Sequence, residues 1–108
     1  MMHDELANEK SIVISKTCKV LSHPVRVKII MFLNRSEHCV KEIRDYLGES
    51  QAVTSQHIRV LLRSGLVKYR RQGTSLYYSV CDNNLVKNLK LMYNCFEKYS
   101  DKPLITSI

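Results

Sequence analysis

Apolar residues recur along most of this chain at intervals of three and four, the spacing that lines one face of a helix. Ile14, Cys18 and Leu21, with Val13 and Val20 beside them, predict a helix from about Ser11, as its cap, to Ser22. Val25, Ile29, Ile30 and Leu33 predict a second, opened by Pro24, whose missing amide is not needed in a first helical turn. After a loop at 34–38, Val40, Ile43 and Leu47 predict a short third helix. Gly48 ends it, because glycine takes left-handed angles cheaply. Only Glu49 and Ser50 then precede a fourth helix, from Gln51 to about Ser64, with Ser50 as its cap and Ile58, Leu61 and Leu62 facing inward.

Past Gly65 the period drops to two. Leu66, Val67 and Tyr69 alternate with Lys68 and Arg70 as a strand, Gln72, Gly73 and Thr74 form a tip, and Leu76, Tyr77, Tyr78 and Val80 return. A two-stranded ribbon is marginal alone, so it must lie against the helices. Asp82 can cap a last helix, from about Asn83 to Tyr99. Its stripe of Leu85, Leu89, Met92 and Phe96, flanked by Val86 and Tyr93, is wide for a terminal helix of so small a domain. Part of it is expected to pack on the domain and part on a second subunit with two-fold symmetry; the other arrangement has the first helix cover it within one chain. The expected organisation is a flexible polar arm at 1–10, one domain at 11–99 and a tail at 100–108. The fold class is mainly α with a β-hairpin, in the order helix-helix-helix-helix-strand-strand-helix, and the third and fourth helices form a helix-turn-helix.

Charge sharpens this picture. The 108 residues carry a formal net charge of +7, while Asp4, Glu5 and Glu9 leave the amino end mildly acidic. The stretch from Ser50 to Tyr78 has no Asp or Glu but carries Arg59, Arg63, Lys68, Arg70 and Arg71. A helix followed at once by a basic hairpin suits a double-stranded DNA groove with its flanking phosphates. Gln51, Ala52, Ser55 and Gln56, with Ser50 and His57 beside them, are candidate reading residues, since small or amide side chains approach base edges closely. Arg59, Arg63, Lys68, Arg70, Arg71, Gln72 and Thr74 are candidates for the DNA backbone. A protein-interaction module gripping an acidic surface, without a direct small effector, is the alternative use of the same shape. An enzyme is not expected, because no nucleophile sits beside a general base and no glycine-rich phosphate cradle occurs. Without a signal peptide or a stretch of about twenty apolar residues, a soluble cytoplasmic protein with no membrane partner is expected. Cys18, Cys39, Cys81 and Cys95 then stay reduced by default.

Several short motifs occur together in order: Leu21-Ser22-His23-Pro24-Val25-Arg26, Leu47-Gly48-Glu49-Ser50-Gln51, Ser55-Gln56-His57-Ile58, Ser64-Gly65-Leu66-Val67, Arg70-Arg71-Gln72-Gly73 and Tyr77-Tyr78. In that order and spacing, over residues 12–99, the chain resembles the ArsR-type winged helix-turn-helix repressors, a family of arsenic, metal and redox sensors. The resemblance implies a homodimer on an operator of two-fold character. The fourth helix would read the major groove through Gln51, Ala52, Ser55 and Gln56. The hairpin would be the wing, with Arg70 and Arg71 on backbone or minor groove. The first and last helices would form the dimer contact, placing Ile14, Cys18, Leu85, Leu89, Met92, Tyr93 and Phe96 at the interface. Val53-Thr54 departs from the family, which has a polar residue and then Val. Thr54 is therefore expected in the semi-buried slot, with Val53 turned outward.

The resemblance also frames sensing. One kind of family metal site has two cysteines, two residues apart, at the start of the third helix; here the stretch reads Cys39-Val40-Lys41. Another pairs the last helices; its matching positions are Asp82, Asn84, Cys95 and Lys98, of which Asp82 and Cys95 can ligate. The metal ligands are therefore unknown, and no cofactor is certain. Cys18, Cys39 and Cys95 remain candidate thiol sensors, or members of a metal site spanning a dimer. The expected function is a sequence-specific DNA-binding regulator, a repressor released or retuned by a thiol-reactive or metal signal.

Overall fold

The computed structural model describes residues 2–99. Five helices and one hairpin follow in the expected order: α1 (Met2–Val20), α2 (Pro24–Leu33), α3 (Val40–Leu47), α4 (Gln51–Arg63), β1 (Val67–Gln72), β2 (Ser75–Val80) and α5 (Asn84–Tyr99). The anticipated stripes make the core. Ile29, Ile30 and Leu33 of α2 meet Ile43 of α3 and Ile58 and Leu61 of α4, and Val67, Val80 and Val86 close the cluster. Burying a side chain of this size stabilises by about 1.5–3 kcal/mol, so these contacts hold α3 and α4 at a fixed angle.

The local stops also behave as expected. Gly48 ends α3 at φ 70°, its N–H donating to the Arg44 carbonyl, and Ser50 Oγ accepts the Val53 N–H at 3.2 Å. Asp82 Oδ1 accepts the Asn84 N–H at 2.9 Å, so the cap sits where expected and α5 begins one residue later. The hairpin pairs Val67 with Val80 at its base and Gln72 with Ser75 at its tip, leaving Gly73 and Thr74 as a two-residue turn. Gly73 has φ 62°, which a two-residue hairpin turn demands. Leu66 lies just outside the strand, its carbonyl accepting the Cys81 N–H.

Two features differ from the sequence reading. Residues 2–10, expected as a flexible arm, belong to α1, and Ser11 sits inside the helix with its hydroxyl on the Asn8 carbonyl rather than capping a start. Glu5, Leu6, Ala7, Glu9 and Lys10 are strong helix formers, and acidic residues early in a helix suit its dipole; sparse apolar spacing hid this. His38, expected in a loop, pairs with Tyr78 on the free edge of β2 through N–H···O bonds of 3.1 and 2.8 Å. A one-residue strand has no alternation to detect. The expected tail at 100–108 lies outside the described residues.

The terminal helices also refine the expected interface. Val20 and Leu21, at and just past the end of α1, and Leu85, Val86 and Leu89 of α5, pack against the core. Leu85 and Leu89, expected in the subunit contact, thus belong largely to their own domain. The α5 stripe is continuous, but only its first two turns lie over the core; Met92, Tyr93 and Phe96 carry the same face on, exposed. Within one chain α1 does not cover them, and its own Ile12, Val13 and Ile14 are exposed as well.

Candidate nucleic-acid interface

The turn between α3 and α4 sets the start of α4, the candidate reading helix. Ser50 is spent on it: its hydroxyl caps α4 and its carbonyl accepts the Thr54 hydroxyl at 2.8 Å. Thr54 is fully buried and satisfied by that bond, while Val53 is 36% exposed, the arrangement expected of this unusual pair. At the other end of the motif, the Cys39 N–H donates to Glu42 Oε1 at 3.1 Å, closing a capping box at the start of α3. That backbone donor, followed by His38, holds the Glu42 carboxyl below the usual carboxylate range.

On α4, Ala52, Gln56, Arg59 and Arg63 are exposed at helical spacing and form one outward stripe. Gln51 is exposed in the first turn, and Ser55 is half-buried on the flank. His57, expected beside the reading residues, turns toward α2 instead. Its Nδ1 accepts a hydrogen bond from Arg26 Nε at 3.3 Å, and its ring lies 5.9 Å from that of His23. Burial, then the neighbouring Arg26 charge, pushes the imidazole pKa down. Arg26 also donates to the Val20 carbonyl at 3.0 Å, tying the end of α1 to α2 and α4. In the sequence Arg26 stands only as the last residue of the motif that begins at Leu21, because a basic residue in an amphipathic helix gives no sign of what it touches.

The wing separates its two arginines. Arg71 is exposed, with no ion-pair partner among the described residues, as are Arg59, Arg63 and Lys68. Arg70 is already engaged: its Nε lies 2.8 Å from both Glu37 carboxylate oxygens, one terminal nitrogen donates to Gln72 Oε1 at 2.8 Å, and the guanidinium sits 5.0 Å from the Tyr77 ring centre. Gln72 shares that contact; Thr74 is exposed at the tip. The result is an acid-free surface of α4 and wing, with one of its cations held by a carboxylate from outside the stretch.

The cysteines are dispersed. Cys18 on α1, Cys81 after β2 and Cys95 on α5 are exposed, and Cys39 is half-buried at the start of α3. Among the described residues, no group of three or more His, Cys, Asp or Glu side chains is placed to hold a metal ion. No helix among them is long and apolar enough to cross a membrane.

Residues 23–69, from the start of α2 through the first half of β1, match the family described as bacterial regulatory protein, arsR family. The chain is also 35% identical over 82 residues to a cadmium resistance transcriptional regulatory protein CadC homolog from Staphylococcus aureus, covering 75% of this chain and 68% of that one. The chain belongs to the ArsR family. The HTH-type transcriptional repressor SmtB of Mycobacterium tuberculosis is 36% identical over 67 residues, covering 62% of this chain and 50% of that one. The same fold appears in the solution structure of the homodimeric winged helix-turn-helix DNA-binding domain Mb0332 from Mycobacterium bovis. That structure superposes with a TM-score of 0.75 at 22% identity, covering 87% of each chain. The ArsR assignment makes the chain a DNA-binding regulator of transcription rather than an enzyme.

Proposed function

We propose that this chain is a homodimeric repressor that binds a duplex operator of two-fold character and is retuned by a thiol-reactive or metal signal. The observation that carries the reading is the outward stripe of Ala52, Gln56, Arg59 and Arg63 beside the unpaired wing cations Lys68 and Arg71. Gln51 and Gln56 read base edges, Ser55 approaches from the flank, and the cations hold phosphates. Arg70 has one terminal nitrogen left for a phosphate, but Glu37 offsets its charge until that pair opens. Two-fold symmetry sets two such units on one face of the DNA about one helical turn apart.

The bare half of α5 supports the dimer. Met92, Tyr93 and Phe96, with Val27, Met31 and Leu89, line an open groove of about 580 Å³ between α2 and α5. An equivalent helix from a second copy fills such a groove, as in a symmetric contact. Cys18 and Cys95 lie on the two helices assigned to that contact, so modifying either thiol acts where the subunits meet. Cys39 begins α3 and offers a second point of attack.

The test is fluorescence anisotropy on duplexes enriched from a random pool, against mixed-sequence duplex and an acidic protein. Preference for the enriched duplex, with affinity falling steeply as salt rises, is expected; equal binding to all duplexes refutes the reading. Repeating the titration with reductant, mild oxidant and single metal ions tests the signal. Cys18→Ser and Cys95→Ser should stay bound where the parent is released, and an identical response in all three removes those thiols from the account.

A further inference from the structure

A second pocket, of about 520 Å³, adjoins the groove between α2 and α5, sharing Met31 and Lys90 with it, and opens between the end of α2, the loop at 34–38, Tyr46 of α3, and Val86 and Lys90 of α5. That volume falls within the range of small-molecule sites, about 300–1,000 Å³. Its wall is aromatic. The Phe32 ring is stacked on His38 at 4.0 Å and on Tyr46 at 4.1 Å, with interplanar angles of 18° and 12°. Two nearly parallel rings that close cannot share one face of Phe32, so the three form a single stack. Tyr46 ends the stack, is 54% exposed, and has no further ring on its outer face among the described residues.

The polar groups around this wall favour an anion. Arg35 and Lys90 line the pocket, are exposed, and have no acidic partner among the described residues. Among the described residues no carboxylate lines it. Glu37, in the same loop, is held by Arg70, and Glu42 by His38 and the Cys39 N–H. Both His38 ring nitrogens are already in contact, Nε2 with Ser36 Oγ at 2.9 Å and Nδ1 with Glu42 at 3.2 Å. His38 therefore contributes a ring, and Arg35 and Lys90 contribute the charge.

We propose that this pocket binds a small aromatic carboxylate, its ring on the open face of Tyr46 at the end of the stack and its carboxylate on Arg35 and Lys90, and that the ligand is an effector of the wing. Ring stacking and a charge-assisted contact are the two interactions such a molecule makes with these groups. The link to the wing is short. The loop that carries Arg35 also carries Glu37, the partner of Arg70, and His38, the backbone partner of Tyr78 in β2. A ligand that draws Arg35 inward acts on the segment that positions both wing contacts. Occupancy of the pocket can be measured without DNA, whereas the effector role rests on the operator binding proposed above.

The experiment titrates benzoate into the isotope-labelled full-length protein and follows amide chemical shifts. Saturable shifts centred on residues 34–38, Tyr46 and Lys90 are expected. Cyclohexanecarboxylate, which keeps the charge, and benzamide, which keeps the ring, should both bind more weakly. Arg35→Gln and Lys90→Gln, both at exposed positions, should each weaken benzoate about tenfold, the loss of one charge-assisted contact. Tyr46→Leu should weaken benzoate while leaving cyclohexanecarboxylate unchanged, and circular dichroism checks that each variant folds. Non-saturating shifts, shifts mapping elsewhere, or undiminished binding in both Arg35→Gln and Lys90→Gln overturn the site. For the effector role, saturating benzoate should change the affinity for the enriched duplex, and the duplex should change benzoate affinity by the same factor. Duplex binding that ignores bound benzoate overturns that role, whereas absence of duplex preference altogether refutes the operator reading instead.

Discussion

Ile29, Ile30, Leu33, Ile43 and Leu61 in the middle of the chain are 0–1% exposed, whereas Ile12, Val13 and Ile14 of α1 and Met92, Tyr93 and Phe96 of α5 are 52–62% exposed. The two sets have the same chemistry, and several lie on equally regular helical stripes. What separates them is position. Helices α2 to α4 are short and cross one another, so their apolar faces meet within one chain. The terminal helices are longer, at 19 and 16 residues, and each meets the body at one end only, α1 at its carboxyl end and α5 at its amino end. The family match covers residues 23–69, within the closed region, and leaves both terminal helices outside. The closed region thus carries the candidate reading surface, while the open ends leave apolar side chains exposed.

This contrast breaks most visibly if the ends are given charge. In the double variant Met92→Glu, Phe96→Glu, the dimer should weaken by at least about a hundredfold, since each side chain returned to water forfeits about 1.5–3 kcal/mol. Analytical ultracentrifugation measures this, and unchanged helical content should show the body intact. Ile43→Ala is the opposite experiment: it should cost about 2–5 kcal/mol in urea unfolding, because it leaves a cavity where α3 meets the core. If the two variants had the same effect on folding, the division between body and ends would fail.

Smaller effects sharpen the division within the reading surface. Arg71→Ala should lower affinity to a similar extent on every duplex and reduce the salt slope by about one unit. Gln51→Ala and Gln56→Ala should instead relax preference at one position of each half-site, by about 1–3 kcal/mol. Glu37→Gln should raise duplex affinity slightly at low salt, because it frees Arg70 from a surface ion pair worth about 0–1 kcal/mol, and the gain should fade as salt screens the charge.

The smallest effect is a pH response. The His57 pKa lies below the usual imidazole value of about 6.5, so the unfolded chain takes up this proton more readily than the folded one. Stability associated with neutral His57 is present above about pH 6.5 and is lost as pH falls through the lowered folded value. The Glu42 carboxyl acts in a separate, more acidic window, below the ordinary value of 4.5. Thermal melts between pH 7.5 and 5 should fall less steeply for His57→Gln than for the parent.

Much of the fold was legible because its signals are local. Apolar spacing marked each helix of the body, Gly48 and Gly73 marked the turns that need positive φ, and Ser50 and Asp82 marked caps. The candidate interface was legible as a set, since the absence of acid from Ser50 to Tyr78 is visible in the string. Its internal division was not. That Arg70 is held by Glu37 while Arg71 is free, and that His57 turns inward to Arg26, depend on contacts spanning 33 and 31 residues. The early turns of α1 were missed for another reason: helix propensity without an apolar stripe resembles an arm.

The amino-acid sequence by itself determined the order of elements, the inward face of each helix in the body, and the sign of the surface charge, because period, turn chemistry and charge are properties of neighbouring residues. Only the tertiary structure decided which cations are unpaired, how far the α5 stripe outruns the core, and how Phe32, His38 and Tyr46 come to stand as one stack. Those are distances between segments, and they are set by the angle at which α2, α3 and the hairpin close around a common core.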